Sequence, residues 1–271
     1  FDGIVMAMDA LTQIRDFNEL TGEVTVESGC LLGELDKYLC SKGRQLRLLP
    51  STWRSASIGG FVAGGSGGIG SVRWGFLRDP GHLLGLEVIT VEGRNRKLSL
   101  DASAAEALNH AYGTNGIITA LKLATAPLVA WQEVVIDCED WSDIVKLMQR
   151  CSKAAVELHL CSLLDKKIVQ NIPSWSGASK GMHRLLILVS PDGLSTIERL
   201  ADLGGASFTY LGAEKDRRGS GLRELTWNHT TLHMRAVDSE WTYLQMLLPE
   251  PELEAMNHLK SQWGDDLLWH L

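Results

Sequence analysis

The sequence predicts an α+β fold made of two domains, and three features of the 271-residue chain carry this prediction. Short apolar runs with the two-residue period of strands alternate with stretches of helical period. The glycine-rich stretch Pro50–Gly81 has neither period. After Pro127 the runs change to a repeated strand–helix–strand order, which is typical of an antiparallel sheet backed by helices. We therefore expect a first domain at residues 1–128 and a second at residues 129–271.

The first domain is expected to place strands on both sides of the glycine-rich stretch. Strands are predicted at Ile4–Met8, Glu23–Glu27, Leu83–Val91, Lys97–Leu100 and Ile117–Ala124. Between the second and the third of these, Leu31, Leu35 and Leu39 fall on one face of a helix, and Gly43 is a natural end for it. Within the glycine-rich stretch itself, the pattern predicts neither a helix nor a strand.

The second domain is expected to alternate strands and helices. Strands are predicted at Trp131–Asp137, Val156–Cys161, Leu185–Val189, Ser207–Leu211 and Thr242–Leu248. Helices are predicted at Asp140–Ser152, Leu163–Gln170 and Leu194–Leu203, with a last helix that starts at Pro251. The stretches 171–181 and 215–218 are polar and are predicted to be loops.

Bulk composition narrows the class of protein. The chain is 45% hydrophobic and 22% charged, which is ordinary for a soluble globular protein. Its net charge of −7 argues against a nucleic-acid partner and leaves a small-molecule substrate as the expectation. The five cysteines lack metal-ligand spacing, so we expect reduced thiols and a reducing compartment, either the cytoplasm or an organelle interior. No apolar run reaches the roughly 18 residues of a transmembrane segment, and the oligomeric state is left open.

The segment Ser57–Ser71 is the strongest candidate for a ligand site. Glycine lets the backbone approach a ligand closely, and successive backbone N–H groups can then converge on an anion. A flexible linker would not need the interleaved apolar residues Ile58, Phe61 and Ile69. A Walker A loop would need a lysine, and a Rossmann loop would need a strand before it and a helix after it. The segment is therefore interpreted as an anion-binding loop of another kind.

Five motifs in and around this segment occur in a specific order. They are Pro50-Ser51, Ser57-Ile58-Gly59-Gly60, Trp74-Gly75-Phe76-Leu77-Arg78-Asp79, Leu84-Gly85-Leu86-Glu87-Val88 and Gly113-Thr114-Asn115-Gly116-Ile117-Ile118-Thr119. This order resembles the PCMH-type FAD-binding domain of the vanillyl-alcohol oxidase family, and most closely its branch of D-lactate, glycolate and 2-hydroxyglutarate dehydrogenases. The resemblance implies FAD as the cofactor, a ferredoxin-like α+β cap domain that carries the substrate face, and an FAD-linked oxidoreductase that acts on CH–OH donors.

The same resemblance implies which residues contact FAD. The Ile58-Gly59-Gly60 run would lie against the pyrophosphate and the ribityl chain, and the small residues after it would let the isoalloxazine approach. Arg78 and Asp79 would hold the loop, as an ion pair or through the backbone. The implied cofactor-binding residues are Pro50, Ser51, Ser57, Ile58, Gly59, Gly60, Ala63, Gly64, Gly65, Ser66, Ser71, Trp74, Gly75, Asn115, Gly116 and Ile118.

The chain departs from the family pattern at several places. The family usually has Tyr at the position of Trp74. It usually has Ser-Glu-Gly leading into the last motif, where this chain has His110-Ala111-Tyr112-Gly113. The family's first phosphate loop would precede Ile4, and its histidine-bearing C-terminal segment has no counterpart. We therefore expect an incomplete domain, a fragment whose own affinity for FAD is open.

Oxidation of an alcohol needs a base close to the hydroxyl group. His229 and His233 are the candidate catalytic residues, because they are four residues apart in a dense polar run and would share one helix face. Either could also bind a metal, and the metal ligands are left unknown. His82, His110 and His159 are expected to be structural. The alternative to an enzyme is a truncated or degenerate flavoprotein that binds a nucleotide or a partner without catalysis.

Overall fold

The structure, a computed structural model, describes residues 4–172, 181–214 and 221–271. The chain divides into two compact units, Phe1–Val129 and Ala130–Leu271. The predicted loop at 215–218 lies outside the described residues, and so does most of the predicted loop at 171–181.

The first unit is built on a five-stranded antiparallel sheet with the order β1-β2-β6-β4-β5, beside a two-stranded pair of β3 and β7. Its strands are β1 (Ile14–Asn18), β2 (Glu23–Glu27), β3 (Arg44–Gln45), β4 (Leu83–Ile89), β5 (Lys97–Asp101), β6 (Ile117–Ala124) and β7 (Ala126–Pro127). Its helices are α1 (Leu32–Ser41), α2 (Ile58–Gly64), α3 (Ser71–Trp74) and α4 (Ala102–Ala105). Alternation along β2 buries Val24 and Val26 completely, as the period of a half-buried strand requires.

The strand predicted at Ile4–Met8 is wrong, because these residues form no strand. The first strand is β1, and the side chain of Ile4 is 97% exposed. An apolar run becomes a strand only where another strand offers backbone partners, and β1 instead pairs with β2 at the edge of the sheet. A run of apolar residues does not reveal whether such a partner exists.

The expectation that the glycine-rich stretch contains no helix is also wrong, because α2 and α3 lie within it. Ser57 caps α2, since its Oγ accepts a hydrogen bond from the Gly60 N–H at 3.2 Å. Ile58, Phe61 and Val62 are buried, and this burial offsets the poor helix propensity of the glycines. Short helices are stabilised mainly by tertiary packing, which local sequence patterns do not report.

The second unit has a four-stranded antiparallel sheet with the order β11-β8-β10-β9. Its strands are β8 (Gln132–Cys138), β9 (Leu158–Leu164), β10 (His183–Val189) and β11 (Ser207–Ala213). Its helices are α5 (Trp141–Ser152), α6 (Lys166–Gln170), α7 (Leu194–Leu203), α8 (Trp227–Val237) and α9 (Glu252–Trp263). The β-α-β-β-α-β order of β8, α5, β9, β10, α7 and β11 gives the ferredoxin-like arrangement that the sequence predicts. The predicted α+β class is confirmed.

Strand β10 lies at the centre of this second core, and all seven of its residues are buried. Ile144 of α5 and Ile197 of α7 pack in the same apolar cluster as its inward side chains. Arg184 of β10 lies opposite Asp137 of β8 and donates two hydrogen bonds of 2.6 Å to its carboxylate. The two side chains are only 6% and 7% exposed, so this ion pair is part of the core.

Two further boundaries in the second unit differ from the sequence prediction. Thr242–Leu248 is not a strand, and its large apolar side chains are mostly exposed. The helix predicted at Leu163–Gln170 begins later, because β9 runs to Leu164 and Asp165 caps α6 by accepting the Lys167 N–H at 2.9 Å. In the part of the chain that the structure describes, no helix has both the length and the apolar character needed to cross a bilayer.

Candidate functional site

The start of α2 is held by the loop that follows β2. The Ile58 N–H donates to the Cys30 carbonyl at 2.9 Å, and the Gly59 N–H donates to the Ser28 carbonyl at 2.8 Å. Together with the cap from Ser57 to Gly60, these bonds give the first three amides of the helix partners within the chain. This turn therefore offers a ligand a close surface rather than a set of free N–H donors.

One side of α2 is nearly bare of side chains, and we call Gly60, Ala63 and Gly64 the glycine face. A Cβ added to Gly64 would meet no atom within 4 Å, and one added to Gly60 would meet only the Ser57 Oγ at 3.2 Å. By contrast, a Cβ on Gly59 would lie 2.5 Å from the Cβ of Ser28. Gly59 is thus a packing glycine, whereas the glycine face leaves room beside the backbone for a planar group.

The far end of α2 is capped by the loop that precedes β6. Gly65 is left-handed, with φ of 58°, and ends the helix. The N–H of His110 donates to the Val62 carbonyl at 3.0 Å, and the N–H of Tyr112 donates to the Ala63 carbonyl at 2.9 Å. The His110 ring is also hydrogen-bonded to the Gly64 carbonyl. His110 therefore has the structural part that the sequence predicts for it.

The segment after α2 folds back on the Pro50-Ser51 motif. Leu49 and Ile69 exchange two backbone hydrogen bonds of 3.0 and 2.8 Å, and this places Pro50 and Ser51 beside the glycines that follow Ser66. The Ser71 Oγ accepts the Gly68 N–H at 2.8 Å and closes the turn.

Asp79 holds the end of the segment through the backbone, which is one of the two arrangements expected for it. Its Oδ2 accepts the Phe76 N–H at 2.7 Å, directly after the left-handed Gly75. The Arg78 guanidinium lies 4.8 Å from the centre of the Phe76 ring.

Trp74 is held by charged and polar neighbours that the motifs do not reveal. The guanidinium groups of Arg47 and Arg73 lie 4.5 and 4.9 Å from the centre of its ring system. Its carbonyl is 2.9 Å from Nε2 of the buried His82. Burial, together with the nearby charge of Arg47, lowers the pKa of His82 and keeps the ring neutral.

We expect acid to destabilise the first unit through His82. Below about pH 6.5 the unfolded chain binds a proton that the folded chain resists, so stability falls by up to about 1.4 kcal/mol per pH unit. His82→Gln preserves a donor near the Trp74 carbonyl but does not titrate. Urea unfolding at about pH 7.5 and about pH 5.5 should therefore show a smaller acid loss for this variant than for wild type. Equal losses would contradict the assignment.

The Asn115-Gly116 motif lies at the start of β6. Asn115 is exposed, and its side chain donates to the Ala107 carbonyl at 2.6 Å. Gly116 has φ of 150° and packs so closely on Val88 that a Cβ would lie 2.7 Å from its Cγ2. Ile118 is buried in the sheet. The next residue of β6, Thr119, accepts the Ser28 N–H at 3.0 Å, and this connects the strand to the loop that holds the start of α2.

The catalytic candidates lie in the second unit, on α8. His229 and His233 are one turn apart and both half-buried. The Nε2 of His229 is 4.0 Å from the Glu224 carboxylate, and its Nδ1 is buried without a hydrogen-bond partner among the described residues. The described residues contain no group of three His, Cys, Asp or Glu side chains that could hold a metal ion.

A cavity of about 750 Å³ lies beside the other side of α8. Thr230, Thr231, Met234 and Arg235 line it from the helix, and the segments 238–248 and 266–271 line it from the opposite side. Neither His229 nor His233 lines this cavity. The sequence reasoning missed it, because nothing in a local pattern shows where two distant segments enclose a space.

Comparison with known proteins shows which family the first unit resembles. Residues 1–99 match the family model of the FAD binding domain. In structure, the chain is similar to an alkyldihydroxyacetonephosphate synthase, with a TM-score of 0.67 and 16% identity over 85% of this chain and 47% of that one. The fold is therefore that of a PCMH-type flavoprotein. The match over residues 1–99 supports FAD as the cofactor of this domain, and the recognition made from the motifs is confirmed.

Curated relatives share limited parts of the chain. D-2-hydroxyglutarate dehydrogenase, mitochondrial, of Rattus norvegicus is 27% identical over 216 residues, or 76% of this chain and 38% of that protein. A putative D-lactate dehydrogenase, mitochondrial, of Schizosaccharomyces pombe is 34% identical over 93 residues, or 34% of this chain and 17% of that protein. The chain thus spans well under half the length of these relatives.

The residues of the first unit fit a flavin in one respect that the structure itself shows. The glycine face is open, and it lies within the 1–99 range that the family model matches. Ser57 caps α2 and Gly60 lies in it, whereas Trp74 is the last residue of α3. Asn115 lies just before β6, and Ile118 is in that strand. The residue-by-residue assignment of FAD contacts stays a prediction.

Proposed function

We propose that the chain acts as an FAD-dependent oxidoreductase that oxidises a CH–OH substrate, a 2-hydroxy acid, with FAD as the hydride acceptor. The observation that carries the proposal is the open glycine face within the residues that match the FAD binding domain. The dehydrogenase names of the curated relatives support the substrate class. The compartment stays a prediction, since for this chain it rests on the cysteines alone.

The first unit would hold the cofactor. FAD, when bound, supplies an acceptor for the hydride of the alcohol carbon. The glycine face would let the flavin approach the backbone, while Ser57, Ser66 and Ser71 would supply polar contacts around it. Trp74 and its two arginine neighbours would close the end of the segment and limit access of water.

The proposed base is His229 of α8. Its Nδ1 is buried without a hydrogen-bond partner among the described residues, so a substrate would have to uncover this atom before it accepts the hydroxyl proton. The Glu224 carboxylate near Nε2 would stabilise the imidazolium that results. His233, one turn further along α8, would donate a hydrogen bond to the substrate carboxylate.

The test uses the purified 271-residue chain. It is incubated with FAD, freed of unbound cofactor by gel filtration, and mixed with D-2-hydroxyglutarate or D-lactate without oxygen. We expect a bound flavin whose visible absorbance bleaches on addition of one of these acids. His229→Gln should bind the same amount of FAD and bleach more slowly, whereas His258→Gln, on the exposed side of α9, should behave as wild type.

Two outcomes would contradict the proposal in different ways. A protein that retains no flavin would refute the cofactor site. A protein that retains flavin without bleaching in the presence of any 2-hydroxy acid would favour the alternative, a flavoprotein that binds its nucleotide without catalysis. The first outcome is the sharper test of this chain, because the engaged amides at the start of α2 leave few donors for the pyrophosphate.

A further inference from the structure

His110 and Tyr112, which precede Gly113, have a backbone conformation that residues other than glycine rarely adopt. His110 has φ of 60° and Tyr112 has φ of 52°, and both positions depart from the family pattern. The conformation of His110 has an explanation within the unit. Its N–H and ring bond to α2, and its Cβ packs on Gly65 so closely that a Cβ there would lie 2.3 Å away.

The contacts of the Tyr112 side chain within the unit do not explain its conformation in the same way. Its N–H anchors the backbone to the Ala63 carbonyl, but its side chain is 72% exposed. Its ring packs against the His110 ring, with centres 5.1 Å apart and planes tilted by 49°. This contact limits where the ring can turn and leaves most of its surface uncovered.

A backbone hydrogen bond holds Tyr112 next to α2, the helix that carries the glycine face. Ala63, whose carbonyl holds Tyr112, is the central residue of that face. A planar group lying on Gly60, Ala63 and Gly64 would therefore have an aromatic ring anchored at its edge. Aromatic rings stack in offset geometry with centres about 4.5–7 Å apart. The Tyr112 backbone is one hydrogen bond from Ala63, so its side chain can bring the ring within this range of a group on the glycine face.

We propose that the Tyr112 ring stacks on the isoalloxazine of FAD bound at the glycine face. Tyr112 is then a cofactor-contact residue that belongs to this chain and not to the family motif. The inference rests on the proposed placement of FAD along α2. It also accounts for an exposed aromatic residue in a strained conformation, because covering the ring by a flavin removes apolar surface from water.

The experiment measures fluorescence per bound flavin and the dissociation constant for FAD. A phenol in contact with oxidised flavin quenches its fluorescence by reversible electron transfer, with no net reaction. Tyr112→Leu should raise the fluorescence and weaken FAD binding by roughly two- to tenfold, the contribution of one stacked pair. Tyr112→Phe should keep the affinity but still raise the fluorescence, because phenylalanine stacks without being oxidised.

Tyr38→Leu is the matched control, because Tyr38 is on α1 and packs edge-on against Phe17 instead. It should change neither quantity. Unchanged fluorescence in both Tyr112 variants would overturn the inference, and weaker binding with unchanged fluorescence would do so as well by placing the ring on the adenine. A wild-type protein without bound flavin absorbance would overturn the placement of FAD together with the inference, before any variant is compared.

Discussion

Gly59→Ala is expected to destabilise the first unit by about 1–3 kcal/mol, the usual range for overpacking a filled site. The new Cβ would lie 2.5 Å from the Ser28 Cβ and 2.8 Å from the Ser28 carbonyl oxygen. Neither atom is the end of a flexible side chain, so α2 or the loop after β2 must shift. The shift would break the hydrogen bonds that hold the start of α2, and we expect FAD binding to be lost with them.

Gly64→Ala provides a matched comparison within the same helix. Its Cβ would enter open space, and alanine is a better helix former by up to about 1 kcal/mol, so the protein without FAD should be as stable as wild type or more so. FAD affinity should nevertheless fall, because the methyl group stands on the glycine face. Urea unfolding and FAD titration of both variants separate the effects. Wild-type affinity in Gly64→Ala would show that the flavin lies elsewhere.

Arg184→Met is expected to destabilise the second unit by about 3–5 kcal/mol, because it leaves the Asp137 carboxylate buried without its charged partner. The ion pair joins two neighbouring strands, and both of its side chains are almost completely shielded from solvent. Removing one partner of a buried ion pair costs more stability than replacing both partners with apolar residues. The double variant Asp137→Leu with Arg184→Met should therefore recover most of the loss.

Chemical unfolding of the single and double variants, followed by circular dichroism, measures both effects. Arg96→Met is the control, because its ion pair with Glu92 is well exposed and its removal should change stability little. A double variant as unstable as Arg184→Met would mean that Arg184 acts through contacts other than this carboxylate.

Sequence periodicity correctly predicted the elements that bury one regular face. β2, β6, α5 and α7 appear where the apolar spacing places them, because one face of each is covered along its whole length. The same reasoning failed for Ile4–Met8 and Thr242–Leu248, whose apolar residues are exposed. A one-dimensional pattern shows that a segment can be a strand, but not that a partner strand is present.

The motifs predicted the cofactor segment but not the residues that support it. His82 and Arg47 contact Trp74, and Ser28 contacts Gly59, yet none of the three belongs to a recognised motif. Each acts across a distance in sequence that no spacing rule covers. The helical form of Ser57–Gly64 was missed for the same reason, since its stability comes from tertiary burial and from caps supplied by distant loops.

The clamp that His110 and Tyr112 place on the end of α2 has a consequence for how this sequence can vary. A helix that must stabilise itself needs alanine, leucine and other residues of high propensity. Here the carbonyls of Val62 and Ala63 are paired by amides almost fifty positions away, so the helix tolerates glycine where an isolated helix would unravel. Variants of this sequence should accordingly preserve the backbone path at 110–112 more strictly than the exposure of that loop suggests, because the glycines of α2 depend on the amides of that loop.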